Sequence, residues 1–413
     1  MNNASTGRYF LFLFYLSLLS MLGFIATDMY LPAFKAIESS FGSSPSEVAM
    51  SLTTFLAGLA CGQLVYGPLV NRIGHRNALF AGMALFCAAT LVIANSDSIM
   101  MLNTARFFQA LGACAAGVIW QALVVEQYNS EEAQGIFSNI MPLVALSPAL
   151  APIIGAFVQE HLGWRAIFLA LTGVGILIIM LTAVLVPAPK AKSETTEVAK
   201  KAGFMDIIKN TRFLGNVIIF GACSGAFFSY LTVWPIVMEQ NGYAAAEIGL
   251  SFIPQTIMFI VGGYAGKILI KKVGNEKALQ ALLVLFALCV AGIVTVTLLI
   301  DVATIFPLLL IFSVSAAANG AIYPIVVNNA LQQFSNDAAK AAGVQNFLQI
   351  SMSFGASSLV AMFAASGDKA IGWGILTCAV GVAIGYRLQS AKQRMVMPDN
   401  ARAAMFCDEN AQK

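Results

Sequence analysis

From residue 9 to residue 27 the chain carries no charged side chain, and the run then meets an aspartate in the stretch ATDMYLPAF at 26–34. About 20 apolar residues in helical form cross the hydrocarbon core of a bilayer. Inside lipid only helices and closed barrels satisfy every backbone polar group. The run recurs along the chain. Apolar stretches at 9–34, 45–69, 77–95, 99–125, 135–158, 164–187, 212–237, 245–270, 278–299, 303–329, 338–364 and 367–388 predict twelve transmembrane helices. Composition agrees, with 59% of the 413 residues hydrophobic and 10% charged, where a soluble domain carries about 25% charged. The expected fold class is an all-α membrane protein. The first run is too long for the apolar part of a leader and lacks a small-residue cleavage site, so it reads as a first span.

Charge placement predicts the topology. With the N-terminus inside, every Lys and Arg except Lys35, Arg106, Arg165 and Lys369 falls on cytoplasmic segments, which places both termini in the cytoplasm. The polar stretch PAPKAKSETTEVAKK lies within 188–211 and divides the chain into 1–187, a linker at 188–211, 212–388, and a tail at 389–413. The halves resemble each other. GVIWQALV at 117–124 is similar to GAIYPIVV at 320–327, and Ser51, Gly62 and Gly74 recur as Ser251, Gly262 and Gly274. Two pseudo-symmetric six-helix bundles are the expectation, as in transporters built from repeats.

Chemistry is constrained by what the chain lacks. It has no GxxxxGK[ST] loop for ATP and no HExxH or GxSxG signature. Its two histidines, His75 and His161, are too far apart in sequence for a metal cluster, and its seven cysteines are scattered without a CxxC. The cysteines read as small core residues. No enzyme, metal, cofactor or nucleic-acid partner is expected. A duplicated bundle without an ATPase points to a secondary transporter driven by an ion gradient.

Such a carrier needs a titratable group in its solute path, and ionisable residues inside spans are functional candidates. Asp28 precedes Lys35 by about 10 Å at 1.5 Å per residue, and Arg106 follows Asp97 by about 13 Å. The two are expected at similar depth, as a proton-coupling pair. Burial favours the neutral acid and a nearby guanidinium favours the carboxylate, so the balance can differ between conformational states. Arg106, Gln109, Ala113, Gly117 and Trp120 share one helical face. Amides and aromatics hold flat organic molecules by stacking and hydrogen bonds. The cavity candidates are Tyr30, Gln109, Trp120, Gln121, Tyr230, Trp234, Gln255, Asn319, Tyr323 and Asn346. Gly58, Gly62 and Gly67 read as close helix packing, and Pro148 and Pro152 as a kink or flexing point in span five.

These residues match a pattern. GPLVNRIGHR at 67–76 looks like the signature loop of the major facilitator superfamily, and RFFQALGACAA at 106–116 resembles the span-four motif of its proton-linked drug antiporters. SPALAPIIGA at 147–156 resembles their span-five motif, and ATDMYLPAF and GWRAIF are similar to the Bcr/CflA drug-resistance group. IMPLVALSPALAP at 140–152 and ANGAIYPIVV at 318–327 look closer to purine-nucleoside transporters of that group. The resemblance implies two six-helix bundles working by alternating access, as a monomer in the bacterial inner membrane. It gives Asp28 the role of membrane-embedded acid, Arg106 that of the span-four arginine, Gly67, Asn71, Arg72, Gly74 and Arg76 the signature loop, and Pro148, Pro152 and Gly155 the span-five motif. The loop's usual aspartate is Asn71, which puts a charge-based latch in question. Ala151 and Ala156 replace glycines of the span-five motif.

The functional expectation is proton-coupled transport of small organic solutes, as Bcr/CflA-type drug efflux or, alternatively, transport of purine nucleosides. A non-transporting receptor and a uniporter are the competing classes. Protons, a small-molecule substrate and the lipid bilayer are the expected partners.

Overall fold

The computed structural model describes residues 3–187, 203–243, 245–300, 304–363 and 366–390. Within them the chain forms helices and turns and no strand. The expected linker is described only from 203 and the expected tail only to 390; Cys407 and the side chain of Pro148 lie outside the described residues. Among the described residues, nine helical stretches are long and apolar enough to cross a membrane. Two of them double back: Met50–Ala94 reverses at Gly74, and Phe306–Ala361 at Gln332–Asp337. Each covers two expected spans, and Ser130–Leu162 supplies the remaining one.

The first half holds α1 (Asn3–Asp28), a 3-10 turn (Leu31–Ala33), α2 (Phe34–Phe41), α3 (Pro45–Ala94), α4 (Ile99–Gln127), α5 (Ser130–Leu162) and α6 (Trp164–Leu185). The second holds α7 (Phe204–Lys209), α8 (Thr211–Gln240), α9 (Ala245–Leu250), α10 (Ile253–Val273), α11 (Asn275–Val294) with a π-turn (Thr295–Leu299), α12 (Phe306–Leu331), α13 (Ala338–Ala361) and α14 (Asp368–Ser390). Three helix starts in the first half carry side-chain caps. Ser44 with Glu47 and Asn129 with Glu132 form reciprocal caps at α3 and α5, and Ser98 accepts the Met101 N–H at α4.

Two expected spans and the linker need correction. The span drawn at 9–34 is not one helix, because α1 stops at Asp28. The span drawn at 245–270 is divided into α9 and α10. Pro254 has no N–H to give the Leu250 carbonyl, so the helix restarts after Leu250. The linker contains the short helix α7, whose Ile207 is buried. Span five, read as carrying a kink or a flexing point at Pro148 and Pro152, runs as the single helix α5.

The internal repeat is visible in space. Gly74 and Gly274 have φ of +79° and +85° and mark equivalent helix reversals, a conformation that favours glycine. Gly62 packs so closely on Cys114 of α4, and Gly262 on Ala317 of α12, that a Cβ at either would overlap its neighbour. Ser51 bonds the Tyr30 hydroxyl at 2.9 Å, and Ser251 accepts from Trp234 Nε1 at 2.8 Å. Of the seven cysteines, five of the six described are buried and Cys61 is exposed, so the core reading fails for Cys61 alone.

The halves meet at the face that carries Arg72, Arg76, Lys271, Lys272 and Lys340, here called the basic face. The apolar core of the first half extends into the second through Ile207, Phe213, Val217, Val327, Leu331, Ala338 and Val344, all within about two turns of that face. The second half keeps its own separate core, which includes Val237, Ile305 and Ile371 near the opposite face. Gly67 fits against the Lys340 backbone and Gly343 against the Gln63 carbonyl, leaving no room for side chains there.

Candidate functional site

The break in α1 follows from Pro32. Without an N–H it cannot continue the ladder to the Asp28 carbonyl, and it disfavours helical geometry at Leu31. The chain turns through Met29 and Tyr30 and resumes in the 3-10 turn, where Ala33 N donates to Tyr30 O at 2.9 Å. The last turn of α1 therefore presents free carbonyls, and the side chain that answers them is Arg106. Its Nη1 donates to Ala26 O at 3.0 Å and to Gln109 Oε1 at 2.5 Å. Gln109 in turn donates to Thr90 Oγ1 at 2.9 Å. A cation at a helix carbonyl end is favourable.

Arg106 is 0% exposed. Its guanidinium carbon lies 4.0 Å from the Tyr30 ring centre and 4.2 Å from that of Phe55, so the charge is held between two aromatic faces. Nε and Nη2 have no hydrogen-bond partner. Asp28 is half-buried and forms no ion pair with Arg106, although the arginine senses its charge at longer range. The expected pair is thus two neighbours with different environments. Arg106 meets the chain at Ala26 and Tyr30, on either side of Asp28, so the two charges lie at one level of the bundle although residues 29–33 do not rise as an α-helix. Arg106 is enclosed in protein; Asp28 keeps access to the space beside α1.

The other candidates divide into three groups. Tyr30, Gln109 and Trp120 are buried inside the first half, with Trp120 edge-on to Phe137. Tyr230, Trp234 and Gln255 are buried inside the second half, where the Tyr230 ring stacks on Phe312 at 3.5 Å and on Trp234 at 4.9 Å and its hydroxyl accepts from Gln255 at 2.8 Å. The remaining residues face the seam or lie beside it. Gln121 Nε2 reaches Asn346 Oδ1 across the halves at 3.4 Å. Tyr323 is half-buried against Phe220 and Phe259, and Asn319 is buried with its Oδ1 unpartnered. The ten candidates therefore do not gather into one pocket. A helical face read from sequence cannot say whether it points to the seam or into its own half, and Arg106, Gln109 and Trp120 point inward.

In the signature loop, Asn71 Nδ2 donates to Asp337 Oδ1 of the other half at 2.8 Å. The contact across the halves thus joins a neutral amide of the loop to a carboxylate at the start of α13. Arg76 Nη2 donates to the Ala183 carbonyl at 3.0 Å near the end of α6, while Arg72 is exposed. In the span-five motif Gly155 is buried beside the Met29 carbonyl at the α1 break, where any Cβ would collide; Pro152 is half-buried.

Phe55, Thr90 and Asp337 contribute to these contacts and are absent from the sequence candidates. Only Asp337 carried a signal, as an acid immediately before an apolar helix.

The sequence pattern of the Major Facilitator Superfamily matches residues 16–358. The chain is 26% identical over 361 residues to a bicyclomycin resistance protein homolog of Haemophilus influenzae, covering 86% of this chain and 89% of the relative. It is 30% identical over 270 residues to a chloramphenicol resistance protein of Pseudomonas aeruginosa, covering 64% and 63%. Among solved structures it superposes on the E. coli fucose:proton symporter FucP with a TM-score of 0.72 at 14% identity, over 92% of this chain and 98% of that one. Neither relative named here is a nucleoside carrier by name. These matches set aside the enzyme and the non-transporting receptor, because the superfamily is one of transporters. The chain belongs to the Major Facilitator Superfamily and is a multi-pass membrane transporter.

Proposed function

We propose that the protein is a proton-coupled exporter of small, drug-like organic solutes of the Bcr/CflA type, working by alternating access in the bacterial inner membrane. The basic face is the cytoplasmic one, and the units 1–187 and 212–388 rock against each other around the seam. The observation that carries the reading is Asp28: a half-buried, unpaired carboxylate at a helix break, beside a guanidinium that is enclosed and fixed. Protonation there changes the charge next to Arg106 and at the α1–α5 contact, where Gly155 meets Met29. The resistance names of the relatives favour export of drugs.

A second reading, purine nucleosides, draws on the seam. Half-buried Tyr323 and Asn346 and the unpartnered Asn319 Oδ1 offer an aromatic face and amides to a flat polar heterocycle. Proteoliposomes with an imposed proton gradient separate the readings. Accumulation of labelled chloramphenicol that a protonophore abolishes is the expected outcome. Accumulation of labelled inosine without any of chloramphenicol would replace the first reading with the second, and uptake that ignores the gradient would leave a uniporter.

A further inference from the structure

The second half contains a single charge more than one turn inside a described membrane-crossing helix, Lys267 of α10. It lies about 9 Å from the basic end at Val273 and is half-buried. No carboxylate lies within ion-pairing distance among the described residues. Its Nζ donates to Asn139 Oδ1 of α5, in the opposite half, at 2.7 Å. One turn deeper, Gly263 packs on Pro142 of the same helix, so Lys267 stands in the seam and not against lipid. An ammonium in such a place is costly unless an acceptor serves it, and here the acceptor is a neutral amide oxygen belonging to the other half.

That arrangement has a consequence when the halves separate. Asn139 withdraws with α5, and the ammonium faces the opened path with no protein acid to neutralise it. Lys271, one turn nearer the end and exposed, adds charge of the same sign. Of the other membrane-embedded charges, Arg106 is sealed within the first half, and Asp28 sits at the far end of the path. We propose that Lys267 is the charge-selecting residue of the solute pathway: it takes the place of Asn139's oxygen with an acceptor oxygen or nitrogen of a neutral solute, and it excludes permanent organic cations. The inference rests on the alternating movement of the halves proposed above, not on the identity of the drug.

Counterflow of labelled tetraphenylphosphonium in proteoliposomes tests it. Wild type is expected to stay within the scatter of empty vesicles, and Lys267→Gln to give a signal about tenfold above that scatter, the factor that like charges roughly 10 Å apart produce at an effective dielectric near 20. Lys267→Met should behave like Lys267→Gln, and provides the measurement if the glutamine variant does not assemble. Lys267→Arg keeps the charge and Asn139→Ala removes only the seam hydrogen bond, so both should remain as closed to the cation as wild type. Tetraphenylphosphonium counterflow by wild type, or its failure to appear in both neutral variants, overturns the proposal. An equal gain in Asn139→Ala also overturns it, by reducing Lys267 to a latch. Chloramphenicol counterflow in the same vesicles reports separately on the drug reading, and its absence throughout would sink that reading while leaving the cation comparison intact.

Discussion

The two halves share a scaffold and differ in what they enclose. In the first, Tyr30 of the opening span bonds Ser51 and stacks against Arg106, which also lies on Phe55 and bonds Gln109. In the second, Trp234 bonds Ser251 and stacks on Tyr230, which lies on Phe312 and bonds Gln255. By the repeat that aligns 117–124 with 320–327, Arg106 corresponds to Leu309 and Gln109 to Phe312. One half keeps a guanidinium and an acid at this level; the other fills the same space with stacked rings. The two halves share these helix contacts, and ionisable chemistry at this level is confined to one of them.

The largest stability effect should come from the neutral half. Tyr230→Ala removes a ring stacked on two others and should cost about 3–5 kcal/mol, read by thermal unfolding in detergent, while uptake by the surviving protein still follows the proton gradient. Arg106→Leu installs the residue of the second half. It orphans the Ala26 carbonyl and the Gln109 amide oxygen, at about 1–3 kcal/mol, and should abolish gradient-driven uptake despite the smaller loss of stability. If Arg106→Leu stays coupled and Tyr230→Ala does not, the contrast between the halves is inverted.

Two smaller effects sharpen it. Asn71→Ala removes the amide that holds Asp337 across the seam and should shift the population towards the form parted at the basic face by about tenfold, or roughly 1.4 kcal/mol, seen as a second distance between spin labels on the two halves. Glu47 accepts the Ser44 N–H at 2.8 Å and its hydroxyl at 2.9 Å, and these bonds hold the carboxyl below its ordinary value. The folded value is the lower one, so the cap's contribution is complete above the unfolded carboxylate range and disappears as pH falls through the folded value. Melting temperatures of wild type and Glu47→Gln should differ slightly at neutral pH and converge in acid.

Much of the fold was legible because it depends on length and on a few residue types. Twelve apolar runs fix the spans, Gly74 and Gly274 mark equivalent reversals, and Gly58 and Gly62 mark close packing on α4. The break at Asp28 was missed although Pro32 is in plain view, because hydropathy counts an apolar proline as part of the run. The site was only half legible. Asp28 and Arg106 stand out as charges in apolar runs, but Phe55 and Thr90 are ordinary residues whose importance comes from the helix they face. Tyr230, Trp234 and Gln255 have the chemistry of a binding pocket and are instead bonded to one another, a fact that no single helix reveals.

The account stands or falls on Asp28 as the proton-carrying residue. Its most direct test compares Asp28→Asn with wild type in proteoliposomes, measuring chloramphenicol accumulation under an imposed proton gradient and chloramphenicol exchange without one. Loss of accumulation with exchange preserved is the predicted result. Accumulation that persists in the variant and still collapses with a protonophore would contradict it.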